Sequence, residues 1–478
     1  MVSPTTLARA RHLIAGEWVA ASHFRDVMDP YRGEVVGQVP EGSAAEMDAA
    51  IAAAKSAAPK AAQMPARKRA DVLRRAAALL DERAPAIARL MARETGKALK
   101  DASAEVDRSR DTLLLSAEEA IRIEGSHIPL DGSEMGNGKI AISLRYPVGV
   151  VAAITPFNAP FNLACHKLAP SFAAGNSTVL KAPPQAALVV EQLVALLHDA
   201  GVPSGVLNLT YGGAEIGRQL VCDPRVDFIT FTGSSRAGAE IKANSGLRRV
   251  ALELGGNGPT IVHQDADVDA AAAACARSAV RLAGQSCISV QSIYAHESIA
   301  EALAQAIARG MQALKVGDPL DATTDIGTLI DEAAARRVEQ WVQEAVDGGA
   351  KIVTGGQRTG AQFTPTLLTH VKPEMKVVCD EIFGPVASII PYQDLADPIA
   401  QINASAYGLQ CGLFTQSNTV TFRAIREIRT GALVVGGTST WRTDQLAYGG
   451  IKASGYGREG PRYAIRDMTD ERLVIFNI

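Results

Sequence analysis

The 478-residue sequence predicts an α/β fold with two parallel sheets, helices on their faces and a separate β-rich arm. Between residues 147 and 254, short apolar runs alternate with segments of helical periodicity of about ten residues. A second alternation of the same kind runs from about residue 258 to 440. The chain then ends in a β-prone run, Arg472-Leu-Val-Ile-Phe476. The two alternations therefore predict the sheets, and the terminal run predicts part of the arm.

The first 146 residues predict a short antiparallel β start, a helical region and a hairpin. Alternation and turn residues over 12–40 indicate the β start. Apolar residues at three- and four-residue spacing predict helices over 66–83, 86–95 and 103–122, and Pro85 is expected to end the first and open the second. Residues 123–146 are rich in Gly, Asn and Ser with β-prone flanks, which indicates an extended hairpin.

The two α/β regions predict alternating strands and helices. Expected strands cover 148–154, 177–180, 206–210, 228–231, 249–254, 290–294, 351–353, 387–392 and 431–435. Expected helices cover 163–174, 186–200, 213–222, 236–245, 267–283, 298–314 and 332–347. In such sheets ligands bind beyond the carboxyl ends of the strands, so polar residues at those ends are candidate site residues.

The terminal β run is apolar and would be a lone edge strand unless it is paired. We expect it to pair with the 123–146 hairpin across a subunit interface, which predicts a homodimer or homotetramer. The alternative is pairing inside its own chain. These segments give a division into a first domain over 1–122 and 147–254, a second over 255–443, and bridging elements over 123–146 and 444–478.

Composition excludes several classes of protein. A net charge of −3 gives no basic surface for nucleic acid. The six cysteines form no C-x-x-C pair and the eight histidines are dispersed, so we expect no metal site and a reducing, cytoplasmic compartment. The N-terminus lacks a secretory pattern, and the longest apolar runs are too short to span a bilayer, so no membrane partner is expected.

A thiol and a carboxylate are the first candidate catalytic pair. Cys287 lies in a Gly/Gln/Ser-rich turn, and Glu253 lies in an apolar strand that ends in two glycines. A thiolate can attack a carbonyl, and a half-buried carboxylate can then draw a proton from water. Taken alone, Cys287 is more typical of a buried apolar cysteine and Glu253 of an ion-paired core residue, and the catalytic interpretation depends on the other candidates below.

Other strand ends carry further candidates. Asn158 stands between two prolines after a strand, where its amide can donate to an oxyanion or simply form a turn. Small residues at Gly233 and Ser234 open a helix whose amides can approach a phosphate. Lys181 ends a strand and can bind a ribose or be solvated, and Glu381 and Phe383 share a rigid loop suited to ribose hydroxyls and a flat ring.

Six segments in order resemble the aldehyde dehydrogenase superfamily along essentially the full chain. They are Pro156-Phe-Asn-Ala-Pro160, Lys181-Ala-Pro183, Phe231-Thr-Gly-Ser234, Leu252-Glu-Leu-Gly-Gly256, Gly284-Gln-Ser-Cys287 and Glu381-Ile-Phe-Gly-Pro385. The resemblance implies a Rossmann-type cofactor domain, a catalytic domain and a β oligomerisation arm. It also implies that the chain oxidises an aldehyde with NAD or NADP.

The resemblance implies a role for each matching residue. Cys287 would form a thiohemiacetal and then a thioester, Glu253 would activate the hydrolytic water, and Asn158 would form the oxyanion hole with the Cys287 backbone N–H. Contacts to the coenzyme fall on Thr155, Pro156, Phe157, Lys181, Pro184, Gly213, Gly217, Phe231, Gly233, Ser234, Leu254, Glu381 and Phe383.

Two departures from the family pattern bear on specificity. Where family members that prefer NAD often carry a Glu that grips the ribose 2′-hydroxyl, this chain has Pro184, so the choice between NAD and NADP stays open. The segment around Cys287 resembles the branch that handles lactaldehyde, glyceraldehyde 3-phosphate, phosphonoacetaldehyde and sulfolactaldehyde. In that branch an Arg often precedes the Cys, and here the residue is Ser286.

Arginines suggest the substrate. Arg108 and Arg442 resemble residues that face the family's substrate tunnel, with Phe161, Ser286 and Trp441 as further lining residues. Two guanidinium groups would favour a small aldehyde with an anionic tail. Alternatively, Arg108 pairs with Glu105 or Asp111 and Arg442 pairs with Asp444.

The leading hypothesis is an NAD(P)-dependent dehydrogenase of a small polar or anionic aldehyde such as phosphonoacetaldehyde, lactaldehyde or succinic semialdehyde. One rival is a broad-specificity aldehyde dehydrogenase. A second rival is a thioesterase or acyl transferase that uses Cys287 and Glu253 without a coenzyme, and absence of nucleotide binding would favour it. A third is a non-catalytic binding protein on the same fold, which would turn over no aldehyde.

Overall fold

The computed structural model describes residues 8–478. The N-terminal elements are β1 (Ala8–Arg9), β2 (His12–Ile14), β3 (Glu17–Val19), β4 (Phe24–Met28), β5 (Val35–Pro40), α1 (Ala44–Gln63), α2 (Ala66–Thr95) and α3 (Leu99–Ala120). The pairs β2–β3 and β4–β5 are antiparallel, which confirms the expected β start.

The predicted break at Pro85 is wrong, because α2 runs unbroken through that proline. A proline inside a helix removes one hydrogen bond. Leu80 before it and Ile87 and Met91 after it bury their side chains in the same core cluster. Tertiary packing on one face therefore keeps both halves in a single helix.

Two strands of the hairpin, four strand–helix units and a fifth parallel strand follow. They are β6 (His127–Ile128), β7 (Lys139–Pro147), β8 (Val150–Ile154), α4 (Pro160–Ala174), β9 (Ser177–Lys181), α5 (Ala187–Asp199), β10 (Leu207–Thr210), α6 (Ala214–Cys222), β11 (Phe228–Thr232), α7 (Ser235–Asn244) and β12 (Arg249–Glu253). Strands β8 to β12 are parallel and lie in the order β12-β11-β8-β9-β10. From β8 the chain adds β9 and β10 on one side of the sheet and then β11 and β12 on the other side. The reversal creates a topological switch point between β8 and β11.

The remaining elements build the second sheet and the C-terminal segment. They are β13 (Thr260–Val262), α8 (Val268–Val280), β14 (Ser292–His296), α9 (Glu297–Gln312), α10 (Glu332–Asp347), β15 (Lys351–Thr354), β16 (Arg358–Thr359), β17 (Gln362–Phe363), β18 (Thr366–Thr369), α11 (Lys376–Cys379), β19 (Val386–Tyr392), α12 (Ala396–Ala404), β20 (Gln410–Phe414), α13 (Asn418–Glu427), β21 (Ala432–Val435), β22 (Gly455–Tyr456), α14 (Pro461–Asp467) and β23 (Thr469–Asn477).

The second sheet has the order β15-β18-β19-β14-β13-β20-β21, and only its edge strand β15 runs antiparallel among the described residues. The sequence analysis missed β13, β18 and β20, since runs of three to five residues interrupted by Gly or Thr carry little periodicity. Each large sheet draws its parallel strands from one of the two predicted domains. The domain boundaries themselves stay a prediction.

The predicted pairing of the terminal strand across a subunit interface is wrong. Strand β23 pairs antiparallel with β7 of its own chain over nine residue pairs, from Thr469 opposite Pro147 to Asn477 opposite Lys139. The hairpin was correctly predicted as the segment that pairs with the terminal strand. Helix α14 directly precedes β23 and leads it back beside β7 of the same chain, so no second subunit is needed for the pairing. Over residues 8–478, no helix is both long and apolar enough to cross a membrane.

Candidate active site

The carboxyl ends of four parallel strands meet at one edge of the first sheet. In the register, Ile154 of β8 lies beside Lys181 of β9 and beside Phe231 of β11, and Thr232 of β11 lies beside Glu253 of β12. The loop after β8 carries Asn158. The strand register therefore brings residues that are up to 99 positions apart in the sequence to one side of the switch point.

The loop that carries Cys287 is held by close backbone contacts. It follows a turn in which Leu282, Ala283 and Gly284 all have positive φ (56°, 52° and 71°). A Cβ at Gly284 would lie 2.0 Å from the Gly384 carbonyl oxygen, and one at Gly256 would lie 2.4 Å from the Cys287 carbonyl oxygen. Glycine is therefore required for the thiol loop to approach both neighbouring loops.

These loops enclose a cavity of about 310 Å³. Eleven of the residues predicted from the sequence line it: Cys287, Glu253, Asn158, Pro156, Phe157, Gly233, Ser234, Leu254, Glu381, Phe383 and Arg442. The cavity size lies at the lower end of the range of small-molecule sites. The structure thus brings the candidate nucleophile, base and amide donor to one enclosed space.

The Cys287 thiol is half-buried, and its Sγ lies 3.2 Å from the Tyr448 hydroxyl. Burial raises the pKa of Cys287 to about 12, and the hydrogen bond with Tyr448 acts in the opposite direction. The thiol is therefore mostly protonated at neutral pH in this arrangement, and it needs a change in its surroundings, or a neighbouring donor, to ionise.

Asn158 is fixed on both sides. Its side-chain Nδ2 donates to the Gln285 backbone carbonyl oxygen (2.9 Å), and its backbone carbonyl oxygen accepts from Lys97 Nζ (2.8 Å). Lys97 is itself paired with the buried Glu105, whose Oε1 accepts from the Phe161 backbone N–H (2.9 Å). The side-chain amide is thereby positioned against the loop that carries Cys287.

Glu253 is 4% exposed, and neither of its carboxylate oxygens has a hydrogen-bond partner among the described residues. Burial raises its pKa well above the ordinary value, and the nearby negative charge of Glu459 adds to the effect, while Arg442 and Lys167 oppose it. A carboxyl group with a raised pKa in a cavity wall is the arrangement that general bases use.

Both arginines expected to bind substrate have carboxylate partners. Arg442 lines the cavity and its Nη2 donates to Glu459 Oε2 (2.8 Å), whereas Arg108 lies outside the cavity lining and its Nη2 donates to Asp444 Oδ1 (2.6 Å). The salt bridges suggested by sequence, Arg442 with Asp444 and Arg108 with Glu105 or Asp111, are therefore wrong in their partners. The arginines come from α3 and a distant loop, and only the fold decides which acid each one meets.

The charged pairs continue behind the cavity. His166 Nε2 lies 2.9 Å from Asp444 Oδ1 and 3.4 Å from Arg442 Nη2. Lys167 Nζ lies 3.4 Å from Glu459 Oε1. Burial raises the pKa of Glu459, but Lys167, His166 and Arg442 more than compensate and hold that pKa well below its ordinary value. Glu459 is consequently a permanent negative charge that keeps Arg442 in the wall.

The predicted coenzyme residues surround the adjoining strand ends. Lys181 is 7% exposed, its Nζ donates to the Ala182 carbonyl oxygen (3.3 Å), and burial, followed by the charge of Arg25, lowers its pKa to about 8. A Cβ at Gly213 would meet open space, and one at Gly217 would only touch Lys181 Cδ (3.5 Å). Ser234 caps α7 by accepting from the Ala237 backbone N–H (3.3 Å).

The loop with Glu381 and Phe383 closes the other side. Glu381 Oε1 accepts from the Gly256 backbone N–H (3.0 Å), and burial raises its pKa to about 7. Phe383 adopts a positive φ of 48° and its ring meets the Phe157 ring edge-on, with 6.0 Å between centroids. The two aromatic rings therefore form one apolar wall of the cavity.

Several predicted residues are not brought to the cavity lining. Phe161 is fully buried in the core, Thr155 is buried, Phe231 packs in a core cluster, and Trp441 is 56% exposed. Pro184 begins a 3₁₀ turn after β9, and Ser286 is half-buried next to Cys287. Because Phe161 points into the core, direct contact between its ring and a substrate is not available in this structure.

Six cavity residues were not predicted from the sequence: Tyr448, Glu459, Arg337, Leu163, Thr232 and Gly255. Two of them belong to a segment with glycines at 449, 450, 455, 457 and 460. A Cβ at Gly449 would lie 2.7 Å from the Gly457 carbonyl oxygen and 3.0 Å from Glu253 Oε1. Such a dense run of glycines was a usable signal of close backbone approach, and hence of proximity to the site.

Comparison with known proteins gives the same family throughout. The model described as "Aldehyde dehydrogenase family" matches residues 18–474. A 3-sulfolactaldehyde dehydrogenase of Priestia megaterium is 43% identical, with all of both chains covered. Aldehyde dehydrogenase 21 of Physcomitrella patens, solved with the product succinate, is 36% identical with a TM-score of 0.96, covering 99% of both chains. An NADP-dependent glyceraldehyde-3-phosphate dehydrogenase of Bacillus halodurans, solved with NADP, is 35% identical with a TM-score of 0.96, covering 98% of this chain and 99% of that one.

Proposed function

Since the chain belongs to the aldehyde dehydrogenase family, we propose that it oxidises a small polar or anionic aldehyde to the carboxylic acid through a covalent intermediate on Cys287. It is an NAD(P)-dependent enzyme, as are the relatives solved with NADP. The observation that carries the proposed mechanism is the convergence of Cys287, Glu253 and Asn158 on one cavity.

Each of the three converging residues has a separate role in the proposed reaction. Cys287 Sγ gives up its proton to water and bonds to the aldehyde carbon, and the C=O double bond opens to the oxyanion of a thiohemiacetal. The Asn158 amide and the Cys287 backbone N–H stabilise that oxyanion. A bound NAD or NADP would supply the hydride acceptor for that carbon. Glu253 then takes a proton from the water that hydrolyses the thioester, and its raised pKa favours this role.

The residues at the strand ends fit a dinucleotide. Lys181 has donors left for ribose hydroxyls beyond its bond to the Ala182 carbonyl, and Gly213 faces open space where the backbone can be approached. The amides at the start of the ten-residue helix α7 suit a pyrophosphate, with Ser234 at its cap. Glu381 would hold the second ribose, and Phe383 would pack near the nicotinamide.

Relatives and electrostatics support a small polar substrate. Relatives of this chain are named as dehydrogenases of sulfolactaldehyde, sulfoacetaldehyde, succinate semialdehyde and lactaldehyde. Arg442 contributes a guanidinium to the cavity wall, although Glu459 already neutralises part of it. A polar or anionic tail remains the better proposal, and a broad-specificity enzyme is the alternative that the paired arginines favour.

The arm supports assembly of copies of this chain. Among its side chains, Ile140, Leu473, Ile475 and Phe476 are 41% to 52% exposed. In the register, Ile140 lies opposite Phe476 on one face of the β7–β23 pair, and Leu473 and Ile475 lie on the other face. Apolar side chains exposed on an arm of this kind are typical of a protein–protein interface, so we propose a homodimer or homotetramer. The six free cysteines agree with the expected reducing, cytoplasmic compartment.

The first experiment measures initial rates of reduced-coenzyme formation by the wild type and Cys287→Ala. The panel is lactaldehyde, succinic semialdehyde, phosphonoacetaldehyde and an uncharged aliphatic aldehyde, each with NAD⁺ and NADP⁺. We expect Cys287→Ala to lose activity and the anionic aldehydes to lead by roughly tenfold or more in kcat/KM. Retained turnover in Cys287→Ala would contradict the mechanism, and equal rates for the uncharged aldehyde would favour the broad-specificity alternative.

A further inference from the structure

The Tyr448 hydroxyl lies within hydrogen-bond distance of the reactive sulfur, at 3.2 Å from Cys287 Sγ. We propose that Tyr448, clamped by Arg442, recognises the 2-hydroxyl group of an α-hydroxyaldehyde bound to Cys287. The inference rests on the proposed function and narrows its substrate class.

Tyr448 is fixed by its backbone and its ring at once. Its backbone N–H donates to the Glu459 carbonyl oxygen (3.0 Å), and the Glu459 N–H donates back to the Tyr448 carbonyl oxygen (2.6 Å). The Glu459 side chain binds Arg442, and the Arg442 guanidinium carbon lies 3.7 Å from the centre of the Tyr448 ring. This closed set of contacts holds the hydroxyl at one position relative to Sγ.

The Tyr448 side chain is buried and also packs against apolar residues. Tyr448 is 5% exposed and packs with Ile288, Leu409 and Cys287. Burial raises the pKa of Tyr448 well above 10, so the hydroxyl stays neutral and can both donate and accept. A buried hydroxyl without a partner is unfavourable, and here the thiol is the partner that the structure supplies.

Attack on the aldehyde changes that partner. Once Sγ is bonded to the aldehyde carbon, it has lost its proton and is a poor acceptor. The aldehyde oxygen is drawn to Asn158, on the loop after β8. The nearest remaining substrate atoms are the substituents of carbon 2, which is separated from Sγ by one carbon. A hydroxyl group there can replace the thiol as the partner of Tyr448, whereas a methylene group leaves the tyrosine hydroxyl unpaired.

This distinction divides the candidate substrates. Lactaldehyde, sulfolactaldehyde and glyceraldehyde 3-phosphate carry a hydroxyl group on carbon 2. Phosphonoacetaldehyde and succinic semialdehyde carry a methylene group there. A site built to bond a substrate hydroxyl rejects the analogue that lacks it more strongly than an apolar pocket rejects an extra group. Tyr448 therefore favours the first set, whatever charge the tail has.

The test compares lactaldehyde with propionaldehyde, which differ only in the 2-hydroxyl group, in the wild type and in Tyr448→Phe. We expect the wild type to prefer lactaldehyde in kcat/KM by roughly tenfold or more, and Tyr448→Phe to lose most of that preference. Dividing the lactaldehyde-to-propionaldehyde preference of the wild type by that of Tyr448→Phe cancels differences in aldehyde hydration and in coenzyme binding. An unchanged preference in Tyr448→Phe would overturn the inference.

Two further measurements separate the possible failures. Tyr456→Phe, at a 60% exposed tyrosine that stacks on Lys242, should leave the preference unchanged. If Tyr448→Phe does not fold, kcat/KM of the wild type is compared for glycolaldehyde, which has a 2-hydroxyl group, and acetaldehyde, which lacks it. Equal values for the two aldehydes contradict the inference. Failure of the proposed function is visible separately, as turnover that survives Cys287→Ala.

Discussion

At the scale of single residues, the site depends on two groups whose charged forms are disfavoured by burial. The thiol of Cys287 has a pKa raised to about 12, and Glu253 has its pKa raised by burial and by Glu459. Burial acts on a thiol and a carboxyl group in the same direction, because both are charged when deprotonated. Each therefore becomes more reactive as pH rises.

The first prediction concerns Glu253→Gln. A glutamine cannot accept the proton of the hydrolytic water, so we expect kcat to fall by roughly 10²- to 10⁴-fold while the burst of thioester formation remains. Wild-type deacylation should rise with pH, since Glu253 acts as a base only after losing its proton. Stopped-flow measurement of the burst and of the steady state checks both points.

The matched control is Glu301→Gln, which changes an exposed glutamate in α9 and should leave both phases intact. A pH-independent deacylation rate in the wild type, or normal steady-state turnover in Glu253→Gln, would show that another group activates the water.

At the scale of elements, backbone approach decides how the thiol loop meets its neighbours. Gly284 has a φ of 71°, and a Cβ there would lie 2.0 Å from the Gly384 carbonyl oxygen. The loop with Cys287 and the loop with Glu381 can approach this closely only through glycine. Motif spacing identified both loops, but it could not reveal that they are in contact.

We predict that Gly284→Ala lowers the free energy of unfolding by about 1–3 kcal/mol, because the methyl group meets backbone atoms in a strained conformation. Activity should fall further than stability, since the displaced loop carries Cys287. Urea unfolding and initial rates measure the two effects. Gly132→Ala is the control, because a Cβ at Gly132 meets nothing. Equal behaviour of the two variants would contradict the close approach of the loops.

The start of helix α5 gives an element-scale prediction away from the site. Glu94 of α2 is buried and accepts from the Leu188 and Val189 backbone N–H groups (2.8 and 2.9 Å). Glu94→Ala removes both bonds, and we expect a loss of about 1–3 kcal/mol in unfolding free energy. Glu94→Gln keeps an acceptor and should lose less, as chemical denaturation can measure.

The same pair of variants tests the pH dependence. Burial raises the pKa of Glu94 to about 8, above its ordinary value of 4.5. The folded protein then holds a proton that the unfolded chain releases, so the contribution of Glu94 to stability is greatest below 4.5 and is lost as pH rises through about 8. Glu94→Gln should therefore gain stability relative to the wild type over that interval. A constant difference would contradict the raised pKa.

At the scale of the whole molecule, the C-terminal strand ties the end of the chain to the arm. Strand β23 pairs with β7 of the same chain, with Arg472 opposite Leu144. Residues directly opposite in an antiparallel pair are close enough for a disulfide. A disulfide between these two positions can therefore show, in the assembled protein, whether the paired strands belong to one chain.

We predict that Leu144→Cys with Arg472→Cys, after replacement of the exposed Cys222 and Cys379 by Ser, forms a cross-link within one chain. Oxidised protein should run as a monomer on a non-reducing denaturing gel, because the two strands belong to one subunit. A cross-linked dimer would instead support the exchange of strands between subunits. Each single cysteine variant serves as the control for non-specific oxidation.

The sequence by itself determined the features that depend on short segments or on the order of motifs along the chain. Period and turn residues predicted the strand–helix alternation from β8 to β12, and six short motifs in order identified the family and the candidate thiol and base. The tertiary structure decided the rest: that α2 continues through Pro85, that β23 stays within its own chain, and that Arg442 meets Glu459 rather than Asp444. It also brought Tyr448 to Cys287 across 161 positions. Such contacts are set by how distant segments pack together, and no periodicity within a short window encodes which partner a side chain meets.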